Sequence, residues 1–188
     1  NLYLNDAKIT DLVIPSSITS IGQYSFVGGS FTNVTIPSSV TSISNGAFEN
    51  TSLTSVTIPD SVTQMGSSAF SGCSSLKNVI LSNNITYINF NVFLGCKSLI
   101  SVTIPNSVKN IYEYAFAGCS SLTNIVIPNS VTGVGNYAFN GCTKLVDVTT
   151  PIIDTKFSNM FGSQVTKVTL TSGTSIPDSY FSGYTSLA

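Results

Sequence analysis

Apolar and polar positions return in the same order every 22 or 23 residues along this chain. Ser-Leu-Thr-Ser-Val-Thr-Ile-Pro over 52–59 recurs as Ser-Leu-Ile-Ser-Val-Thr-Ile-Pro over 98–105 and as Ser-Leu-Thr-Asn-Ile-Val-Ile-Pro over 121–128. A fixed period in this range marks one supersecondary unit that buries its apolar face only by stacking on its neighbours. Pro15, Pro37, Pro59, Pro105, Pro128 and Pro151 share one column, with Ser82 and Thr171 in the same slot where proline is missing. Three residues on stands an apolar column of Ile18, Val40, Val62, Ile85, Val108 and Val131. Three further on stands a second: Ile21, Ile43, Met65, Ile88, Ile111 and Val134. An aromatic column follows at Phe26, Phe48, Phe70, Phe93, Phe116, Phe139, Phe161 and Phe181, usually with a small residue just before the ring.

Within each unit, Leu-x-x-Val-x-Ile (Leu53, Val56 and Ile58, for example) alternates β-branched residues with Thr, Ser and Asn. That alternation predicts a half-buried strand with its polar side to solvent. The proline that follows removes a ladder donor and ends the strand. The Ala-Phe-x-Gly-Cys stretch predicts a tight or short helical turn, eased by glycine. One strand and a compact return per unit is the leucine-rich-repeat plan. A parallel β-helix is the competing architecture, and it places the same side chains in ladders about 4.8 Å apart.

The run Ile-Pro-x-Ser-Val-Thr-x-Ile-x-x-x-Ala-Phe-x-Gly-Cys-x-Ser-Leu-x-x-Val is legible over 58–79 and nearly so over 104–125. It resembles the BspA-type leucine-rich repeat, and the resemblance covers almost the whole chain. Two early units are one residue short where Gly-Cys would fall, and the unit from Pro151 to Thr171 keeps Ile153 and Phe161 but loses Ala and Cys. The resemblance implies a mainly β repeat solenoid, a right-handed stack of about eight units of 20–23 residues. Its parallel β-sheet lies on one face, with short turns or helical turns on the other. Residues 1–188 are expected to form a single solenoid domain, a fragment of a longer array, since neither end reads as a capping unit.

Composition narrows the chemistry. Charged residues make up only 8% of the 188 residues, so Ser, Thr and Asn must cover the surface. The seven cationic residues are all lysine and the net charge is −1, which offers no electrostatic footprint for nucleic acid. No apolar run approaches the roughly 18 residues of a membrane span, so no membrane insertion is expected in this segment.

There is no histidine, the commonest general base and metal ligand. Ser74 and Lys77 match the Ser-x-x-Lys spacing of serine acyl enzymes, but chance suffices in so serine-rich a chain and no partner motif accompanies them. Asp147 and Asp154 lie on opposite sides of Pro151. No catalytic, cofactor-binding or metal site is therefore assigned. Cys73, Cys96, Cys119 and Cys142 fall 23 residues apart in one slot, which favours a column of buried free thiols. Side chains in register are too far apart and too parallel for a disulfide, and a straight column cannot surround zinc. The sequons at Asn33, Asn50 and Asn84 are also within chance, and they matter only in a chain secreted through an endoplasmic reticulum.

What remains is surface. Residues four and two before each proline slot point outward as two ladders on the strand face. The outer one includes Asn33, Ser55, Asn78, Ser101 and Asn124, and the inner one Thr35, Thr57, Ile80, Thr103 and Val126. A neutral array of hydroxyls and amides with a few aliphatics can contact a protein or glycan, although β propensity alone also places Thr and Ser there. Tyr114 and Tyr137, two before Phe in adjacent units and sharing that slot with Tyr24, form a second candidate contact.

Proteins resembling this chain are surface proteins of anaerobic bacteria and parasitic protozoa. They are associated with attachment to host extracellular-matrix proteins and to other cells. The resemblance therefore implies a secreted or cell-surface, non-enzymatic module that binds a protein or glycan, an extracellular-matrix protein among them. A structural spacer with no ligand of its own is the alternative.

Overall fold

The computed structural model describes residues 3–4 and 7–184. Tyr3–Leu4 pairs antiparallel with Ala7–Lys8, and from there on the chain is a parallel-strand solenoid of about seven turns. Its front sheet is made of Asp11–Val13, Asn33–Thr35, Ser55–Thr57, Asn78–Ile80, Ser101–Val102, Asn124–Val126, Asp147–Thr150 and Lys167–Leu170. They pair in three parallel groups, in the register set by the repeat: Asp11 with Asn33; Ser55 with Asn78 and Asn78 with Ser101; and Asn124 with Asp147 and Asp147 with Lys167.

Alternation along each front strand decides what is buried. In Ser55–Thr57 the two flanking side chains are exposed and Val56 is buried. After the strand, Ile58 turns inward and the carbonyl of Pro59 accepts the N–H of Val62 at 2.9 Å. The same bond closes the turn after Pro15, Pro37, Pro105 and Pro128, so the proline column is a column of tight turns.

The sequence pattern predicts one strand per unit, and the structure adds a second, narrower sheet. Ser20–Ile21, Ser42–Ile43 and Gln64–Met65 form one parallel group, and Tyr87–Ile88, Asn110–Ile111 and Gly133–Val134 another. These strands coincide with the second apolar column, whose side chains point into the core. The return stretches are tight turns, as the pattern predicts, closed by bonds such as Cys73 N–H to the Phe70 carbonyl at 3.3 Å. The helix among the described residues is the single turn Phe157–Met160.

Two positions of each corner take left-handed backbone. One lies two before the column Phe, where φ is +54° at Tyr24, +60° at Gly46, +58° at Ser68, Asn91 and Tyr114, and +61° at Tyr137. The other lies two after it, at Gly28, Gly72, Gly95, Gly118 and Gly141, with Asn50 (φ +56°) in the second of the two shorter units. Glycine and asparagine suit such backbone; tyrosine does not.

The core is one continuous cluster from Ile14 to Tyr180. Its spine is the phenylalanine column, stacked at ring-centroid distances of 4.9–5.8 Å from Phe26 through Phe161. Backbone bonds tie the same layers: Phe48 N–H to Ala69 carbonyl at 2.8 Å, and Phe116 N–H to Ala138 carbonyl at 2.8 Å.

Two expectations fail at the ends. Ile18 is 38% exposed rather than interior, because the first turn has a stacking partner on one side only among the described residues. The column also turns aside after Phe161. There Phe157, from the helical turn, packs on Phe161 at 4.6 Å, and Phe181 packs on Phe157 at 5.2 Å.

Candidate ligand-binding surfaces

The front-sheet ladders lie where the alternation places them. Asn33, Ser55, Asn78, Ser101 and Asn124 are exposed, as are Thr35, Thr57, Ile80 and Val126. Thr103, one residue past its strand, is exposed too. Ile80 and Val126, each more than 60% exposed, stand on this face as isolated aliphatics. At its upper end, Thr10 Oγ1 donates to Asp11 Oδ2 at 2.7 Å and Asn33 Nδ2 to Asp11 Oδ1 at 2.9 Å, and these hydrogen bonds hold the Asp11 carboxyl below its usual range. At its lower end, Lys167 pairs with Asp147 at 2.6 Å. Between those ends the two ladders carry hydroxyls, amides and alkyl groups, with Lys77 exposed at the start of the Asn78–Ile80 strand.

Tyr114 and Tyr137 come together as an exposed pair, stacked at 5.4 Å and 20° between planes. Both are held in left-handed backbone, a conformation that costs a non-glycine residue roughly 1–2 kcal/mol. Tyr24 shares the slot but lies elsewhere in the stack, and its ring covers Gly46, where a Cβ would collide with it.

Tyr112, two residues before Tyr114, belongs with the tyrosine candidate in the sequence, whereas the two rings that pack on it, Tyr87 and Phe90, were not singled out. Phe90 stacks on Tyr112 at 4.8 Å, and Tyr87 meets Tyr112 at 6.2 Å in a T-shaped contact. The available signal was an aromatic standing in a polar column. Tyr87 occupies the slot of Ser20, Ser42 and Gln64, and Phe90 that of Gln23, Asn45 and Ser67.

Beside this cluster, on the side sheet, runs a groove of about 410 Å³ lined by Gln23, Ser42, Ser44, Asn45, Gln64, Gly66, Tyr87 and Asn89, with Ile43 and Met65 beneath. Sequence reading missed it because its residues repeat neither in type nor in size.

The candidate catalytic groups do not converge. Ser74 and Lys77 are both exposed, and no hydrogen bond joins them. Asp147 is engaged by Lys167, while Asp154 lies exposed beyond the Pro151 turn. Among the described residues no group of three or more His, Cys, Asp or Glu is gathered to hold a metal ion. No helix there is long and apolar enough to cross a membrane.

The four cysteines are buried free thiols. Each donates to the carbonyl of a phenylalanine in the preceding layer: Cys73 to Phe48, Cys96 to Phe70, Cys119 to Phe93 and Cys142 to Phe116, at 3.1–3.3 Å. Thr51 continues the column upward, 3.1 Å from Cys73 Sγ, and Gln164 continues it downward by donating to the Cys142 carbonyl at 2.9 Å. Burial pushes the Cys73 and Cys96 thiols up. The hydrogen bond with Cys142, and then burial, do the same for Cys119. Thiols held protonated in this way are poor nucleophiles. Two sequon asparagines are also engaged, Asn33 with Asp11 and Asn84 Nδ2 with the Asp60 carbonyl at 2.7 Å.

Solved structures share this architecture. A leucine-rich repeat protein of T. pallidum superposes with a TM-score of 0.58 at 24% identity, over 87% of this chain and 71% of that one. One from Eubacterium ventriosum gives 0.63 at 28% over 74% and 44%, and one from Bacteroides ovatus 0.57 at 25% over 96% and 66%. The chain thus spans under half the length of the Eubacterium protein and about two thirds of the Bacteroides one. No curated protein sequence matches it. The family model for the BspA type leucine-rich repeat region matches residues 1–123 and 109–188, in six copies. With the repeat register, the stacked phenylalanine column and this match in agreement, the chain belongs to the BspA-type leucine-rich repeat family.

Proposed function

We propose that residues 1–188 act as one solenoid domain, a non-enzymatic binding module of a secreted or cell-surface protein that attaches to a protein or glycan, an extracellular-matrix protein among the candidates. The observation that carries this reading is the Tyr114–Tyr137 pair. Two large rings are exposed, stacked and held in left-handed backbone at positions where Gly46, Ser68 and Asn91 serve elsewhere in the same column. Strain retained beneath an exposed aromatic pair fits a contact surface better than a structural need. Asn33, Ser55, Asn78, Ser101 and Asn124, with Thr35, Thr57, Ile80, Thr103 and Val126, would then form the adjoining uncharged contact face.

The test compares the parent with Tyr114→Asn/Tyr137→Asn on immobilised matrix proteins and on a glycan array. Asparagine relieves the backbone strain but loses a ring pair of about 0.5–1.5 kcal/mol, so stability should change by less than about 1 kcal/mol. Binding should fall at least about tenfold, because aromatic anchors carry most interface energy. A parent that captures no ligand, with silent surface changes on both faces, would favour the spacer reading.

A further inference from the structure

We infer that the side-sheet groove between Gln23, Asn45, Gln64 and the ring of Tyr87 is a binding site for a neutral oligosaccharide. This inference rests on the binding-module reading and deepens it, giving one ligand class its own place away from the front ladders.

The groove has the volume of a small-ligand site, about 410 Å³. Among the described residues no charged side chain lines it. A phosphate, sulfate or carboxylate ligand would find no cation here, and a basic peptide no carboxylate. What it offers instead is four carboxamides and two serine hydroxyls, groups that both donate and accept. A sugar presents pairs of hydroxyls with the same double character, which a carboxamide can engage through its oxygen and nitrogen together.

The amides are of two kinds. Asn45 is anchored, its Oδ1 accepting the Ser67 N–H at 2.9 Å, so its Nδ2 is held toward a fixed direction. Asn89 is anchored at both ends, to the Met65 carbonyl at 3.4 Å and the Phe90 N–H at 3.2 Å. The Gln23 and Gln64 side chains are exposed and make no hydrogen bond among the described residues, leaving both of their polar groups for a ligand.

The floor is as specific as the walls. A Cβ at Gly66 would run into the backbone nitrogen and Oδ1 of Asn45, so glycine alone lets these two turns close up beneath the groove. Ile43 and Met65, buried under it, keep that floor rigid. Tyr87 supplies the aromatic wall. Its ring is braced by Tyr112 at 6.2 Å, and a ring face suits the C–H-rich face of a pyranose. Phe90, stacked on Tyr112, prolongs the aromatic surface past the end of the groove. A linear saccharide running along the stack could therefore pass from amides to rings without meeting a charge.

The experiment is saturation-transfer NMR and calorimetry on the full chain with cellotriose, maltotriose and N,N′,N″-triacetylchitotriose, and with heparin hexasaccharide as the anionic comparison. At least one neutral trisaccharide should bind and heparin should not. Gln64→Ala, an exposed change that leaves the core intact, should weaken the complex about tenfold, and Tyr87→Ala at least as much. Lys97→Ala, an exposed change outside the groove, should leave saccharide binding unchanged. If no neutral saccharide binds, or if the complex survives both Gln64→Ala and Tyr87→Ala, the inference is overturned. Should the same protein still capture a matrix protein, the binding-module reading stands without it; capture of neither overturns both.

Discussion

Truncating Phe116 to alanine probes the stacked spine at its centre. The ring is fully buried, lying between Phe93 at 5.3 Å and Phe139 at 5.2 Å, nearly parallel to both. Removing a buried phenylalanine side chain costs about 3–5 kcal/mol, made up of lost transfer energy and the cavity left behind. Collapse is resisted on both sides. Phe93 N–H is tied to the Ala115 carbonyl at 2.8 Å and Phe139 N–H to the Met160 carbonyl at 3.0 Å, so neither neighbour can settle into the gap. The upper part of that range is expected, about 4–5 kcal/mol, a large share of a typical domain stability of about 5–15 kcal/mol.

Phe26 provides the internal comparison. It is half-buried and stacks within the column on Phe48 alone, so its truncation should cost about 1–2 kcal/mol. Urea unfolding followed by far-ultraviolet circular dichroism measures both. Because layers couple only to their neighbours, Phe116→Ala should also broaden or split the transition, whereas Phe26→Ala should shift it without changing its shape. Equal losses for the two variants, or a Phe116→Ala transition identical to the parent's, would refute the stacked-core account.

Two further outcomes follow from the corners. Gly118→Ala adds a Cβ in ordinary contact with Gly95, at 3.5 Å, but imposes φ +73° on alanine, so it should cost about 1–2 kcal/mol through backbone strain alone; a neutral result by the same urea assay would remove the left-handed corner from the account. The thiols of Cys73, Cys96 and Cys119, raised in the folded state, should resist iodoacetamide until urea unfolds the chain. The same shift sets a pH dependence. Unfolded thiols ionise near pH 8.5 while the folded ones keep their protons, so this stabilisation is complete below that pH and is lost as pH rises above it. The stability difference between the parent and Cys96→Ala/Cys119→Ala should therefore narrow from about pH 8 to about pH 10, by at most about 1.4 kcal/mol per thiol per pH unit, and a constant difference would contradict it.

The front sheet was legible in the sequence because burial on one face imposes a two-residue alternation, and Val56 and Val79 both sit where it places them. The apolar columns were legible for the same reason, each inward position being forced to carry an apolar group. The side sheet was not. Its strands are two residues long, too short for an alternation to show, and only their inward half (Ile43 or Ile111, for example) left a mark in the pattern. The end of the aromatic column misled because Phe181 keeps the spacing while Phe157, outside it, takes the interior place. For the ligand surfaces, Tyr114 and Tyr137 could be found from their shared slot. The groove could not, since it is assembled from unlike residues on successive turns and its glycine floor depends on a close approach that only coordinates reveal.

The closed register of the turns makes the size of this molecule change in steps. Excising residues 94–116 would join Phe93 to Ala117 just as Phe116 is joined to it now, and strand partners on either side would meet again one storey closer. Losing a single residue inside Ser55–Thr57 is a far smaller edit with a worse result, because it sends Val56 outward and a hydroxyl into the interior. Gene segments coding whole storeys can thus be gained or dropped freely, and the reach of the protein becomes an inherited variable that can be tuned without redesigning its interior.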